Sequence, residues 1–308
     1  MRRIDRVPTE HADVIHDVAY DFYGERMATC SSDLTIRVWE RSRCVASWKA
    51  HDGSIWRVAW AHPEFGQVLA SCSFDRAVHI WEEPPGGARG GAWPRKAVLG
   101  DAKESVTSIA FAPRHLGLRL GALSADGKLR VYEAHDVMQL GEWSGVDEID
   151  VPGARCFAWG QHTSGPAYLI VGFTNGTASV SSNDGGRKWA EVAKLSDARD
   201  AIQAVAWAPH IGRTMQLVAT GGRDGTVHVY TLRPPAAGVN ASAPWEAKLA
   251  ARLLDHRDAV WRVEWNATGS LLASSGDDGT VRVWQPDATG QWRCVSTVKS
   301  DGATMDFA

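Results

Sequence analysis

The sequence holds little of what chemistry at a site usually needs. Its 308 residues include five scattered cysteines (Cys30, Cys44, Cys72, Cys156 and Cys294) and no C-x-x-C pair. An odd number of unclustered thiols reads as reduced cysteine, as in the cytosol or nucleus. No run approaches the ~18 apolar residues of a membrane-spanning helix. Met1-Arg2-Arg3-Ile4-Asp5-Arg6 is charged with no apolar stretch behind it, so no signal peptide is expected. Excess charge of one sign is also missing. Lys plus Arg is 33 against 36 for Asp plus Glu, a net charge of −3, which argues against nucleic-acid binding by bulk charge. H-E-x-x-H, G-x-S-x-G and a Gly-rich loop leading into Lys-Ser are absent too. The expectation is a non-enzyme with no metal, no cofactor, no nucleic-acid partner and no direct membrane insertion.

What is present is tryptophan, 15 residues, and glycine, 30 residues, in a mix of 44% hydrophobic and 22% charged residues that suits a folded chain. The tryptophans fall in a repeat. Leu69-Ala70-Ser71-Cys72-Ser73-Phe74-Asp75 leads to Trp81, and Leu272-Ala273-Ser274-Ser275-Gly276-Asp277-Asp278 leads to Trp284. In the same way Asp33 precedes Trp39, and each of these three Asp–Trp pairs is six residues apart. Asp126/Tyr132 and Asp224/Tyr230 keep that spacing, and Asn175/Ser181 is a weak copy. A second ruler agrees: Val18/Tyr20, Val58/Trp60, Ile109/Phe111, Phe157/Trp159, Val205/Trp207 and Val263/Trp265 each set an apolar residue two before an aromatic one. The units span about 11–48, 51–99, 101–143, 152–195, 200–250 and 256–299. Each alternates with period two and holds tight-turn residues, so it reads as four short strands. Six such units predict an all-β chain of one domain, residues 1–308, a six-bladed β-propeller. Residues 83–91, 134–153 and 233–242 read as surface excursions.

Closure is the unusual feature. The stretch Trp292-Arg293-Cys294-Val295-Ser296 matches Arg43-Cys44-Val45-Ala46-Ser47, so the sixth repeat owns its outer strand. Only about ten residues precede the first inner strand, and Pro8 interrupts them. An open ring without strand exchange is expected, with exposed edges that a partner's strands can complete. An edge argument places the partner seam at Ile4 and Val7 on the first blade and at Trp292 and Val295 on the last.

One motif points elsewhere. Ser182-Asn183-Asp184-Gly185-Gly186-Arg187-Lys188-Trp189 fits the Asp-box of sialidase propellers, which raises a sialidase-like hydrolase as a remote alternative. The box is a hairpin device, and no carboxylate pair on separate blades accompanies it.

The repeats resemble WD-repeat propellers. More narrowly they are similar to the family of the Sec-thirteen coat protein and its homologue (SEH) nucleoporin. The segments from His11 to Val18, Ala28 to Asp33 and Trp56 to Asp75 carry this likeness. Phe111 to Leu118, Ser124 to Gly127, Asp136 to Met138 and Val260 to Asn266 favour the nucleoporin branch over the vesicle coat of the COP-two type, which is the alternative. The resemblance implies a structural hydrogen-bonded set in each complete repeat: His11, Thr29, Asp33 and Trp39; His51, Ser71, Asp75 and Trp81; His256, Ser274, Asp278 and Trp284. In that set the histidine donates both to the aspartate and to the hydroxyl. The resemblance also implies a scaffold subunit of the Y-shaped nuclear pore assembly at the nuclear envelope, serving mRNA and protein transport. An α-solenoid nucleoporin would supply a seventh blade in trans. A second place is implied in the SEA/GATOR complex, which regulates TOR signalling at the vacuole or lysosome.

Overall fold

Period-two alternation punctuated by Asp turns gives each repeat a meander of four antiparallel strands. The structure is a computed structural model that describes residues 7–86, 91–163, 165–183, 185, 188–209, 212, 214–235, 243–299 and 304–306. Ile4, and Asp184, Gly186 and Arg187 of the Asp-box, lie outside the described residues. The chain is a six-bladed β-propeller. Blade 1 holds β1 (Ile15–Tyr20), β2 (Arg26–Ser31), β3 (Thr35–Glu40) and β4 (Arg43–Lys49). Blade 2 holds β5 (Ile55–Trp60), β6 (Val68–Ser73), β7 (Val78–Glu82) and β8 (Arg95–Leu99). Blade 3 holds β9 (Val106–Phe111), β10 (Arg119–Ser124), β11 (Lys128–Ala134) and β12 (Trp143–Asp150). Blade 4 holds β13 (Ala154–Trp159), β14 (Ala167–Phe173), β15 (Ala178–Asn183) and β16 (Ala190–Leu195). Blade 5 holds β17 (Ile202–Trp207), β18 (Gln216–Gly222), β19 (Val227–Arg233) and β20 (Glu246–Leu253). Blade 6 holds β21 (Val260–Trp265), β22 (Leu272–Gly276), β23 (Thr280–Pro286) and β24 (Trp292–Lys299), with a fifth strand, β25 (Thr304–Asp306), on the edge of β24. Among the described residues no strand joins the sheet of another repeat. Blades 1–3 form one compact unit and blades 4–6 a second, divided between Pro152 and Gly153.

The third blade corrects a boundary. The stretch 134–153, whose acidity suggests a surface excursion, contains β12, so that repeat runs to Asp150 rather than to 143. The acidic residues belong to an outermost strand. Across the ladder Lys128 pairs with Glu148 and Asp150, and Arg130 Nε donates to Glu148 at 3.1 Å, so basic side chains of β11 balance them.

Within each unit the core lies between blades. The first strand of a blade packs on the first two strands of the blade before it: β5 on β1 and β2, β9 on β5 and β6, β17 on β13 and β14, β21 on β17 and β18. Ile55 and Val58 join Ala28, Cys30, Ile36 and Val38 in one cluster, and Val260 and Val263 join Ala219, Val227 and Val229 in another. The second strands use small residues because the sheets approach closely. A Cβ added at Gly221 would stand 2.8 Å from Val260 Cγ1, and one at Gly172 would stand 2.7 Å from Ile202 Cγ2. The tryptophan of the Val-x-Trp ruler adds a polar tie. Trp60 Nε1 donates to Ala19 O at 3.1 Å, and Trp265 Nε1 to Ala206 O at 3.3 Å, each reaching the preceding blade.

Candidate functional site

The structure brings the three expected polar sets together. His11 Nδ1 lies 2.8 Å from Asp33 and its Nε2 2.9 Å from Thr29 Oγ1, to which Trp39 Nε1 donates at 3.0 Å. His51 lies 2.8 Å from both Asp75 and Ser71 Oγ, and Trp81 donates to Ser71 at 2.9 Å. His256 lies 3.0 Å from Asp278 and 2.7 Å from Ser274, and Trp284 donates to Ser274 at 2.8 Å. In the third set the direction of the middle bond differs from the expectation of a doubly donating histidine. Burial lowers the His256 pKa against the raising effect of Asp278, so the ring is neutral at pH 7. With Nδ1–H given to Asp278, Nε2 must accept, and the Ser274 hydroxyl donates to it. The aspartates also hold the turn. Burial alone would raise Asp75, but the His51 hydrogen bond and the amides of Ala77 and Asp52 outweigh it and bring it to about 2. Asp278 also sits at about 2: against burial, it is held down by the Thr280 hydroxyl and amide and by His256.

Sequence reasoning missed the substitutes in blades 3 and 5. The Lys103 amide reaches Asp126 as the Ala12 amide reaches Asp33, which puts Ala102 in the histidine's place. Arg130 fills the space, donating to Asp126 at 2.8 Å and to Ser124 Oγ at 2.8 Å. In blade 5 the Arg199 amide reaches Asp224, with Ala198 in the histidine's place. Both blades replace Trp by Tyr, and the two hydroxyls bond Asp101 and Asp197; burial, then these carboxylates, raise both phenols. The legible signal was Asp101-Ala102-Lys103 echoed by Asp197-Ala198-Arg199. In blade 4, Asn175 Oδ1 holds the turn by accepting from the Thr177 amide at 3.0 Å. In the Asp-box hairpin Asn183 Oδ1 accepts from the Gly185 amide at 2.9 Å, and Trp189 packs edge-on to Trp159 at 6.2 Å. His62 caps the 3-10 turn Pro63–Phe65, and His115 lies in the turn Arg114–Leu116.

Two blade faces stand bare. Val18 is 43% exposed, whereas its equivalents Val58, Ile109, Phe157, Val205 and Val263 are 3–9% exposed. Ile15 and Tyr20 on the same strand are exposed as well, though Ile55, Val106, Ile202 and Val260 are buried. This is the face that elsewhere packs on a preceding blade. In blade 6 the face that elsewhere receives a following blade is bare. Val281, three residues after the turn aspartate, is 41% exposed, while Ile36, Val78, Leu129, Ala178 and Val227 are at most 1% exposed. Ala273 and Ser275 beside it are half-buried, whereas Ala28 and Cys30 are buried. Of the expected seam residues, Val7 and Val295 are half-buried, and Trp292 packs on Trp265 of its own blade at 5.6 Å. Blades 1 and 6, like blade 2, carry the full polar set.

These features have close parallels. The family model of the WD domain, G-beta repeat, matches residues 4–40, 42–82 and 247–285, the regions of the three complete polar sets. Nucleoporin SEH1-A of Xenopus laevis is 42% identical across 96% of this chain and 88% of its own length. Nucleoporin SEH1 of Homo sapiens is 41% identical across 97% and 89%. Nucleoporin SEH1 of Danio rerio is 42% identical across 97% and 88%. The chain belongs to the SEH1 nucleoporin family. In this SEH1-type propeller the faces of blades 1 and 6 stay exposed at positions that are buried in the other blades. Among the described residues no three His, Cys, Asp or Glu side chains gather as a metal site requires, and no helix is long and apolar enough to cross a membrane. All five cysteines are free thiols, with Cys30, Cys72 and Cys156 buried.

Proposed function

We propose that the chain is a non-enzymatic scaffold subunit of the nuclear pore complex, within the Y-shaped outer-ring assembly at the nuclear envelope. There it supports mRNA and protein transport by geometry rather than by chemistry. An α-solenoid nucleoporin supplies a further blade in trans, and the bare face of β1 in one unit and that of β23 in the other each offer apolar surface to such a partner. The single observation that carries this reading is the exposure of Val18 and Val281 at positions buried in every other blade. Covering a Val, Ile or Tyr side chain contributes about 1.5–3 kcal/mol each, and added strands bring backbone hydrogen bonds with them. Val7, Trp292 and Val295 belong to the rim of this contact, where they add less than the faces. The polar sets serve the scaffold by holding each sheet rigid before the partner arrives.

The same surface serves the SEA/GATOR complex in a second role in TOR signalling at the vacuole or lysosome. The test is a tagged purification from native lysate with the co-purifying chains identified by mass spectrometry. Recovery of an α-solenoid nucleoporin with other Y-shaped-assembly nucleoporins supports the scaffold reading, and SEA/GATOR chains support the second role. Recovery of vesicle-coat chains alone would move the protein to the coat branch, and no stable partner at all would defeat the reading.

A further inference from the structure

The inner strand of blade 6 departs from the other five at one place. Between the apolar and the aromatic residue of the recurring pair stand Ala19, Ala59, Ala110, Ala158 and Ala206, but Glu264 in blade 6. That position belongs to the side of the sheet that receives a following blade. Ala19, Ala59, Ala158 and Ala206 each pack against the cluster that their blade shares with the next one. The register agrees. Glu264 lies across from Ala273 and Arg262 from Ser275, and Val283 and Val281 come next in the same two rows. Glu264 therefore stands on the bare face of blade 6, where the equivalent residue of every other blade is a methyl group.

The carboxylate is the open end of a surface pair. Its side chain is 64% exposed, against 30% for Arg262, whose Nε donates to Glu264 Oε1 at 3.1 Å. Arg262 has a counterpart in Arg57 of blade 2, so an arginine fits beneath a following blade, whereas Glu264 has no counterpart. The other charges bordering the face offset one another. Arg293 is paired with Asp287 at 2.9 Å, and the turn end holds Arg257 and Lys299 together with Asp258 and Asp277. Blade 1 shows how the fold treats an acid at such a junction. Asp17, on the corresponding face, is 6% exposed, and the Val58 amide of blade 2 donates to it at 3.2 Å. At the level of Glu264 the donor that arrives is a side chain: Trp60 Nε1 reaches Ala19 O, and Trp265 Nε1 reaches Ala206 O.

We propose that Glu264 selects the partner strand that covers blade 6, by requiring a Lys or Arg where the other junctions place the tryptophan N–H. This rests on the scaffold reading and specifies the partner's chemistry at one of its two contact faces. A covering strand takes water away from Glu264, and a buried carboxylate must gain a counter-charge and hydrogen-bond donors. Arg262 Nε already serves Oε1, and the partner's ammonium or guanidinium pairs with the other oxygen. An apolar strand of the kind that covers blades 1, 2, 4 and 5 is rejected, because it would bury the carboxylate without a donor for that second oxygen.

The test takes the α-solenoid nucleoporin recovered with the full chain as the probe and measures its dissociation constant by biolayer interferometry at two salt concentrations. Glu264→Ala and Glu264→Gln should each weaken binding about tenfold or more and reduce its salt dependence. Glu264→Lys should weaken it about a hundredfold, by setting like charges against each other. All three variants should melt as the wild type does, since an exposed ion pair adds little to stability. Alanine restores the residue of the other five blades, so an apolar covering strand would bind Glu264→Ala as tightly as the wild type or more tightly. That result, with Val281→Asp still weakened, would overturn the proposal and leave the scaffold reading standing. Unchanged affinity for Glu264→Gln would overturn it too, by assigning a neutral donor. Unchanged affinity for Val281→Asp, or no α-solenoid partner at all, would defeat the scaffold reading and the proposal with it.

Discussion

Blades 1 and 2 present the same strand chemistry to different surroundings. In blade 2, Ile55 and Val58 are buried against Ala28, Cys30, Ile36 and Val38 of the blade before it. In blade 1, Ile15 and Val18 hold the equivalent positions and stay in solvent. The residue type does not decide burial here; the neighbour does. The hydrophobic gain, about 1.5–3 kcal/mol for a fully buried side chain, is realised in full at the blade 2 face and only in part at the blade 1 face.

A charge is the harshest probe of that difference. Val58→Asp buries an unpaired carboxylate and should cost at least about 3 kcal/mol, enough to threaten folding. Val18→Asp in the free chain should change stability by less than about 1 kcal/mol. Urea denaturation followed by circular dichroism compares the two, and equal losses would mean that the blade 1 face is covered in the free chain. A bulk probe does the same for the second face. Gly221→Val drives atoms into Val260 and should cost about 1–3 kcal/mol. Ser275→Val, at the equivalent place in blade 6, should cost under about 0.5 kcal/mol.

The polar sets sharpen the comparison further. Ser274→Ala strips Trp284 and His256 of their shared partner and should cost about 1–3 kcal/mol. Arg130→Leu should cost a similar amount in blade 3, where it leaves Asp126 without its cation. Calorimetric melting would show whether the substitute set is worth as much as the complete one.

The smallest effect is on pH dependence. Burial, with the electrostatic influence of the stacked His51 ring adding to it, lowers His79 to about 4. Its folded pKa lies below its unfolded value near 6.5, so the stability is fully present above pH 6.5 and is lost as pH falls through 4. His79→Asn, which can keep the donor to Ala50 O, should flatten the decline in melting temperature between pH 7 and 4. An unchanged slope would assign that decline to other buried groups such as His256 and His228, both also lowered by burial.

How much of this the sequence carried follows from the kind of signal each part leaves. The complete polar sets were legible because four polar residue types recur at fixed distances. The sets in blades 3 and 5 were not, because Arg130, Tyr132 and Tyr230 do the same work with different chemistry. The outer strand β12 was hidden by Asp147, Glu148 and Asp150, whose charges read as loop until Lys128 and Arg130 are seen across the ladder. Strand ownership in blade 6 was readable from Trp292 to Val298, and with it the lack of exchange between repeats among the described residues. The bare faces were not readable, since Val18 and Val281 match the buried residues of every other blade and differ only in what lies over them. The edge residues Trp292 and Val295 were therefore a natural choice, yet Trp292 is already engaged with Trp265.

The central claim is that the bare faces of blades 1 and 6 are the scaffold's contact surfaces. Its most direct test is the dissociation constant for a purified α-solenoid nucleoporin, measured by biolayer interferometry for the wild type, Val18→Asp and Val281→Asp. The account predicts a loss of about a hundredfold or more for each variant, with folding intact. Wild-type affinity in both folded variants would contradict it.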